Sequence, residues 1–156
     1  DRHMESNLRA PFVLTQQLAA QVPAPTQDEA GEPVAQGLVI NMIDQRVLKL
    51  NPNFFSYTLS KSALYTATTT MAQALAPNIR VNGIGPGPTM RNARQSEQDF
   101  RAQKQATLTE QGSPPGEIIR ALLYLIDAQA VTGQMIAVDG GQHLIWQTPD
   151  IMDITE

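Results

Sequence analysis

The sequence predicts an α/β fold on a parallel sheet of about three strands. Three observations lead there. Short apolar runs lie beside glycines at 37–43, 79–85 and 132–141. Longer stretches with apolar residues at helical spacing separate them. The first run, "GLVINMI", is continuous rather than alternating, the pattern of a strand buried on both faces.

The elements follow in order. Residues 4–22, "MESNLRAPFVLTQQLAAQV", predict a helix with Leu8, Phe12, Leu18, Ala19 and Val22 on one side. Pro11 cannot donate a backbone hydrogen bond, so it predicts a kink or a late start. Residues 23–36, "PAPTQDEAGEPVAQ", hold three prolines, a glycine and three acids, and predict an exposed loop. The strand at 37–43 comes next. Residues 56–76 predict the longest helix, with an apolar stripe at Leu64, Ala67, Met71 and Leu75. Ala63, Ala67, Thr70 and Ala74 give it a small-residue face that lets another helix approach. Pro77 stops it.

Residues 79–85, "IRVNGIG", predict a second strand that ends in the turn "GPGPT". The polar stretch 95–111 predicts a mobile helix or lid, with Arg91 and Arg94 just before it. "SPPGEIIRALLYLID" predicts a helix capped by Ser113, with Pro114 in the first turn and Ile118, Leu122, Leu125 and Ile126 buried. "TGQMIAVDGG" predicts a turn, a third strand and a glycine pair. A parallel sheet needs cover on both faces. Three strands with this many helices predict the carboxyl-terminal half of a doubly wound sheet. The start, "DRHMESNLRAP", enters a helix at once and reads as a chain that begins inside a larger fold.

Composition excludes several classes. The 156 residues suit one domain, and the expectation is a single partial domain over 1–156. A net charge of -4 argues against nucleic acid as the main partner. There is no cysteine, so disulfides, thiol nucleophiles and thiolate metal sites are excluded. His3 and His143 are isolated in sequence, and no cluster has metal-ligand spacing. No apolar stretch approaches the roughly 18 residues of a membrane-crossing helix. His143 and Trp146 are read as packing or interface residues, and the methionines as core filler.

The candidate chemistry lies at the strand ends, where open parallel sheets bind ligands. Asp44 follows the first strand. Tyr57 and Lys61 are four apart near the start of the long helix and share a face. A tyrosine alone, with a pKa near 10, is a poor acid-base group at neutral pH. A neighbouring ammonium favours the phenolate. Such a pair can protonate a carbonyl or imine while hydride arrives from a nicotinamide, since no side chain supplies hydride. The plainer alternative is a solvated helix face, a turn aspartate and a tight turn.

Four segments, in order over residues 7–141, resemble the short-chain dehydrogenase/reductases. "YTLSK" resembles the family's Tyr-x-x-x-Lys motif. "RVNGIGPGPT" resembles its strand and turn beside the nicotinamide, "TGQMIAVDGG" its last strand, and "NLRAPFVL" the helix carrying its active-site asparagine. The resemblance implies a Rossmann-type sheet with Tyr57 as proton donor. Lys61 would lower the tyrosine pKa and hold the nicotinamide ribose. Asn7 would fix a water or backbone link in the proton relay, and Pro86, Gly87 and Thr89 would line the nicotinamide.

Two departures from the family pattern matter. Asp44 stands where most members carry serine. "INMID", with the tyrosine thirteen residues on, resembles the pteridine reductase branch. A carboxyl group can relay a proton to a ring nitrogen, whereas a serine only hydrogen-bonds. The family's glycine-rich pyrophosphate turn has no counterpart here. The resemblance implies a bacterial, cytoplasmic reductase of a pterin or folate-type C=N bond. Its cofactor would be NADP, with NAD not excluded. It would be a homodimer or homotetramer through helices 4–22 and 56–76. The alternatives are a short-chain reductase of ketones or 3-oxoacyl thioesters, and an inactive oligomeric fragment lacking the cofactor half.

Overall fold

The computed structural model describes residues 2–152. Three parallel strands form the sheet: β3 (Gly37–Met42), β4 (Ile79–Pro86) and β5 (Met135–Val138), in the order β3-β4-β5. Met42 pairs with Ile84, and Pro86 with Val138, so all three carboxyl ends reach one edge. This is the α/β arrangement expected, with helices as the crossovers.

Helix α1 runs through residues 2–19, with a π-helical stretch at Glu5–Arg9. The π turn lies where Pro11 leaves the carbonyl of Asn7 without its usual donor. It is the local disturbance that the proline predicts. Helix α2 (Phe55–Leu75) buries Leu64 and Met71 of the predicted stripe, together with Thr58, Ser60, Thr68 and Ala72. Met71, Ala72, Ile79 and Val81 form the core, against which Leu18, Val22, Val39 and Leu75 pack. Buried Asn41 donates to Thr68 Oγ1 at 2.9 Å and ties β3 to α2.

Several expectations need correction. The loop 23–36 contains a two-stranded antiparallel hairpin, β1 (Thr26–Gln27) with β2 (Pro33–Val34). Strand β3 is half-buried along most of its length, whereas β4 is buried at every residue but its last. The continuous apolar run therefore marks a strand whose outer flank is open among the described residues. Phe12, expected on the buried side of α1, is exposed. The polar helix is shorter than 95–111: α3 spans Glu97–Gln105, capped by Ser96.

Helix α4 (Pro115–Asp127) is capped by Pro114, not Ser113. A residue that precedes proline is driven out of the helical region, and Pro114 precedes Pro115. Its ψ of 144° is accordingly extended. The α4 apolar face is also less covered than expected. Leu125 is buried, but Leu122 and Ile126 are exposed. Buried Arg80 holds this helix to β4 by donating to the carbonyls of Leu125, Ile126, Ala128 and Val131. A cation at a helix carboxyl terminus is favoured by the helix dipole. No helix among the described residues is long and apolar enough to cross a membrane.

Candidate functional site: a tyrosine–aspartate pair at the sheet edge

Strand β3 ends at Met42, and Asp44 follows as the cap of the 3-10 turn Gln45–Val47. Its two carboxylate oxygens have separate partners. Oδ1 accepts from the Arg46 backbone N–H at 2.8 Å. Oδ2 accepts from Tyr57 Oη at 2.9 Å. The turn thus fixes the carboxylate independently of the tyrosine contact. A serine at this position has one oxygen and could not make both contacts independently.

Tyr57 lies in the first turn of α2. Burial, and then the charge and hydrogen bond of Asp44, push its pKa well above the ordinary tyrosine value, while Arg46 pulls it back. The resemblance implies a lowering by Lys61; the net direction, set by burial and Asp44, is upward. Lys61 Nζ lies 5.7 Å from the Tyr57 ring centre and donates to the carbonyl of Met42 at 2.8 Å. Burial lowers its own pKa, and Asp44 partly restores it.

Asn7 reaches the same corner indirectly. Its Nδ2 donates to Ser60 Oγ at 3.0 Å, and Ser60 Oγ donates to the Tyr57 carbonyl at 2.7 Å. Ser60 is fully buried and joins α1 to α2, a role its place inside "YTLSK" did not signal. His3 is not isolated in space, because its ring meets that of Tyr57 edge-on at 5.6 Å. Arg46 carried no signal in the sequence, although it stands only two residues from Asp44.

The turn after β4 is built by close packing. The Gly87 N–H donates to the carbonyl of Val138, and a Cβ on Gly87 would lie 2.8 Å from Asp139 Cα. Thr89 Oγ1 donates to the Gly87 carbonyl at 3.1 Å. Buried Asp139 faces His143, with Oδ2 and Nδ1 2.7 Å apart. That pairing fits the packing role expected of His143. Trp146 is exposed. Beside the tyrosine corner, Lys61, Asn7, Ser6 and Met42 border the flank of β3 that is unpaired among the described residues.

A family model described as enoyl-(acyl carrier protein) reductase matches residues 1–143. The chain belongs to the short-chain dehydrogenase/reductase family. Among solved members of the family, FolM alternative dihydrofolate reductase 1 of Brucella suis, in complex with NADP, is 50% identical with a TM-score of 0.87. The match covers 97% of this chain and 57% of that one. Dihydromonapterin reductase of Klebsiella pneumoniae is 32% identical over 92% of this chain and 57% of its own length. The short-chain dehydrogenase/reductase homolog YusR of Bacillus subtilis is 35% identical over 56% of this chain and 69% of its own. The chain thus spans a little over half the length of its pterin- and folate-named relatives.

Proposed function

We propose that this chain supplies the proton-transfer half of a cytoplasmic, NADP-dependent reductase acting on a C=N bond of a pterin, dihydropteridine or folate-type ring. The observation that carries the reading is the hydrogen bond from Tyr57 Oη to Asp44 Oδ2 at 2.9 Å. Relatives named dihydromonapterin reductase and alternative dihydrofolate reductase support the substrate class.

Bound NADPH supplies the hydride. Adding hydride to the carbon of a C=N bond leaves an electron pair on nitrogen that must take a proton. Tyr57, held protonated by burial and by Asp44, gives the Oη proton to that nitrogen. The Lys61 ammonium offsets the negative charge left on Oη. Asp44 Oδ2, already in contact with Oη, positions the phenol and, after taking a proton from solvent, would return it to the phenolate. Asn7 and Ser60 hold the helix turn that bears Tyr57.

The residues present fit the cofactor. Among the described residues Lys61 uses one of its three donors, on Met42. The other two suit ribose hydroxyls. Pro86, Gly87 and Thr89, at the matching edge of β4, would border the nicotinamide. NADP is preferred because two Brucella relatives were solved with it.

NADPH oxidation by the full-length protein tests the reading, with a dihydropterin, a dihydrofolate and a 3-oxoacyl thioester as substrates. Turnover of either heterocycle, lost in Tyr57→Phe, is expected. Turnover of the thioester alone would move the assignment to ketone reduction. A homodimer or homotetramer through α1 and α2 is part of the proposal. Exposed Phe12 and the small residues Thr70 and Ala74 support it. Light scattering that gives a monomer at micromolar concentration would overturn that part.

A further inference from the structure

Arg46 sits where the family resemblance assigns no residue. Its guanidinium carbon is 4.9 Å from the Phe54 ring centre and 5.7 Å from that of Tyr57. Both distances lie within the reach of cation–π attraction. The Arg46 backbone is pinned by Asp44 Oδ1. Its Nε is buried without a hydrogen-bond partner. A charged group with a dry, unpaired donor is costly unless something else uses its charge. The stacking partner is also held under strain. Phe54 has φ of 58°, in the left-handed region, and is 69% exposed. A non-glycine residue in that region costs about 1–2 kcal/mol and persists where the surroundings require it.

We propose that Arg46 is a positioning residue for proton transfer, a cation within reach of both the Phe54 and Tyr57 rings that holds the phenol against Asp44 and keeps positive charge over the pair. The inference rests on the reading of Tyr57 and Asp44 as the reacting pair. Among the described residues, the charged and titratable groups facing Tyr57 are Asp44 and Arg46 from the loop after β3, His3 from α1 and Lys61 from α2. Two of them, Arg46 and Lys61, are fixed cations on the ring. Lys61 is tied to the Met42 carbonyl at the carboxyl end of β3, so it serves the cofactor side. Arg46 lies on the loop side with Phe54. When Tyr57 gives up its proton, the negative charge left on Oη lies beside the Asp44 carboxylate. That like-charge contact is unfavourable. Arg46 offsets it from the side that Lys61 does not cover.

The experiment uses the full-length protein with NADPH and a dihydropterin. Arg46→Met should lower kcat by about tenfold, one decade of the roughly 10²–10⁴ that a positioned acid-base group contributes. NADPH affinity and the dihydropterin KM should stay within about twofold. The solvent deuterium isotope effect should rise as proton transfer becomes limiting. Arg46→Ala should behave likewise and regain kcat when guanidinium ion is added at millimolar concentration. Phe54→Leu, which removes the stacking ring and leaves the charge, should show a smaller loss of the same kind. Unchanged kcat in Arg46→Met would overturn the proposal. So would a loss confined to KM, since Arg46 would then be a substrate contact, or a failure of guanidinium to rescue Arg46→Ala. Tyr57→Phe run alongside separates the two readings. If it remains fully active, the reaction assignment fails. If it is dead while Arg46→Met is normal, only the role of Arg46 fails.

Discussion

Two loops leave the carboxyl edge of the same sheet, and they are built differently. The loop after β3 is held by side-chain hydrogen bonds to ionisable groups: Asp44 to Tyr57 and to the Arg46 backbone, and Lys61 to Met42. The loop after β4 is held by backbone contact. Gly87 is pressed on Asp139, and Gly112 on the carbonyl of Pro88, where an added Cβ would sit at 2.8 Å in each case. In the proposed reaction the first loop handles protons, while the second makes shape. Substitutions should therefore separate into two classes, one losing rate while keeping the fold and the other losing fold and cofactor affinity together.

The largest expected effect is in the first loop. Tyr57→Phe should cost about 10²–10⁴ in kcat, the usual contribution of a positioned acid, while the thermal midpoint barely moves. Steady-state kinetics with a melting curve checks both halves. In the second loop Gly87→Val should behave in the opposite way. Its side chain would overlap Asp139 and destabilise the fold by about 1–3 kcal/mol, the usual cost of overpacking, with NADPH affinity falling more than kcat. Denaturant unfolding and cofactor titration read those effects. If Gly87→Val lost only kcat, the division between the loops would not hold.

Ser60→Ala lies between these classes. It removes a fully buried hydroxyl and leaves Asn7 Nδ2 without its acceptor. A loss of about 1–3 kcal/mol of stability is expected from that unpaired donor. A smaller effect concerns pH. Tyr57 has its pKa raised in the folded state, so folding favours its neutral form. That contribution to stability is present below the ordinary tyrosine pKa and is lost as pH rises through the folded value. The phenolate absorption of wild type minus Tyr57→Phe should stay flat up to about pH 10. A rise at neutral pH would mean that Lys61 dominates Tyr57 after all.

Much of this contrast was legible in the sequence because its parts are local. The Tyr57 and Lys61 spacing is one helical turn. Asp44 follows an apolar run directly, and the glycines and prolines of "GPGPT" mark a turn wherever they occur. The stripe Leu64, Ala67, Met71 and Leu75 is helical periodicity, and its last three members join Ile79 and Val81 of β4 in the core. What stayed hidden depends on distant contacts. Ser60 gains its role from Asn7, 53 residues away. The role proposed for Arg46 depends on the ring of Phe54, a residue in the left-handed region. The pKa direction of Tyr57 turned on burial and on Asp44, neither of which the Tyr-x-x-x-Lys spacing reports. The cap of α4 was hidden for a local reason, because Pro115 controls Pro114 more strongly than Ser113 attracts a helix start.

Asp44 is the residue proposed to turn a general short-chain proton donor into one suited to ring C=N reduction. Asp44→Ser, which restores the serine that most members of the family carry, probes that role without an intermediary. The quantity to compare is kcat/KM of the full-length protein for a dihydropterin and for a 3-oxoacyl thioester, before and after the change. A fall of about 10²-fold is expected for the dihydropterin, within the range of a lost acid-base group, with no fall for the thioester. Equal dihydropterin reduction by the two proteins would remove Asp44 from the reaction.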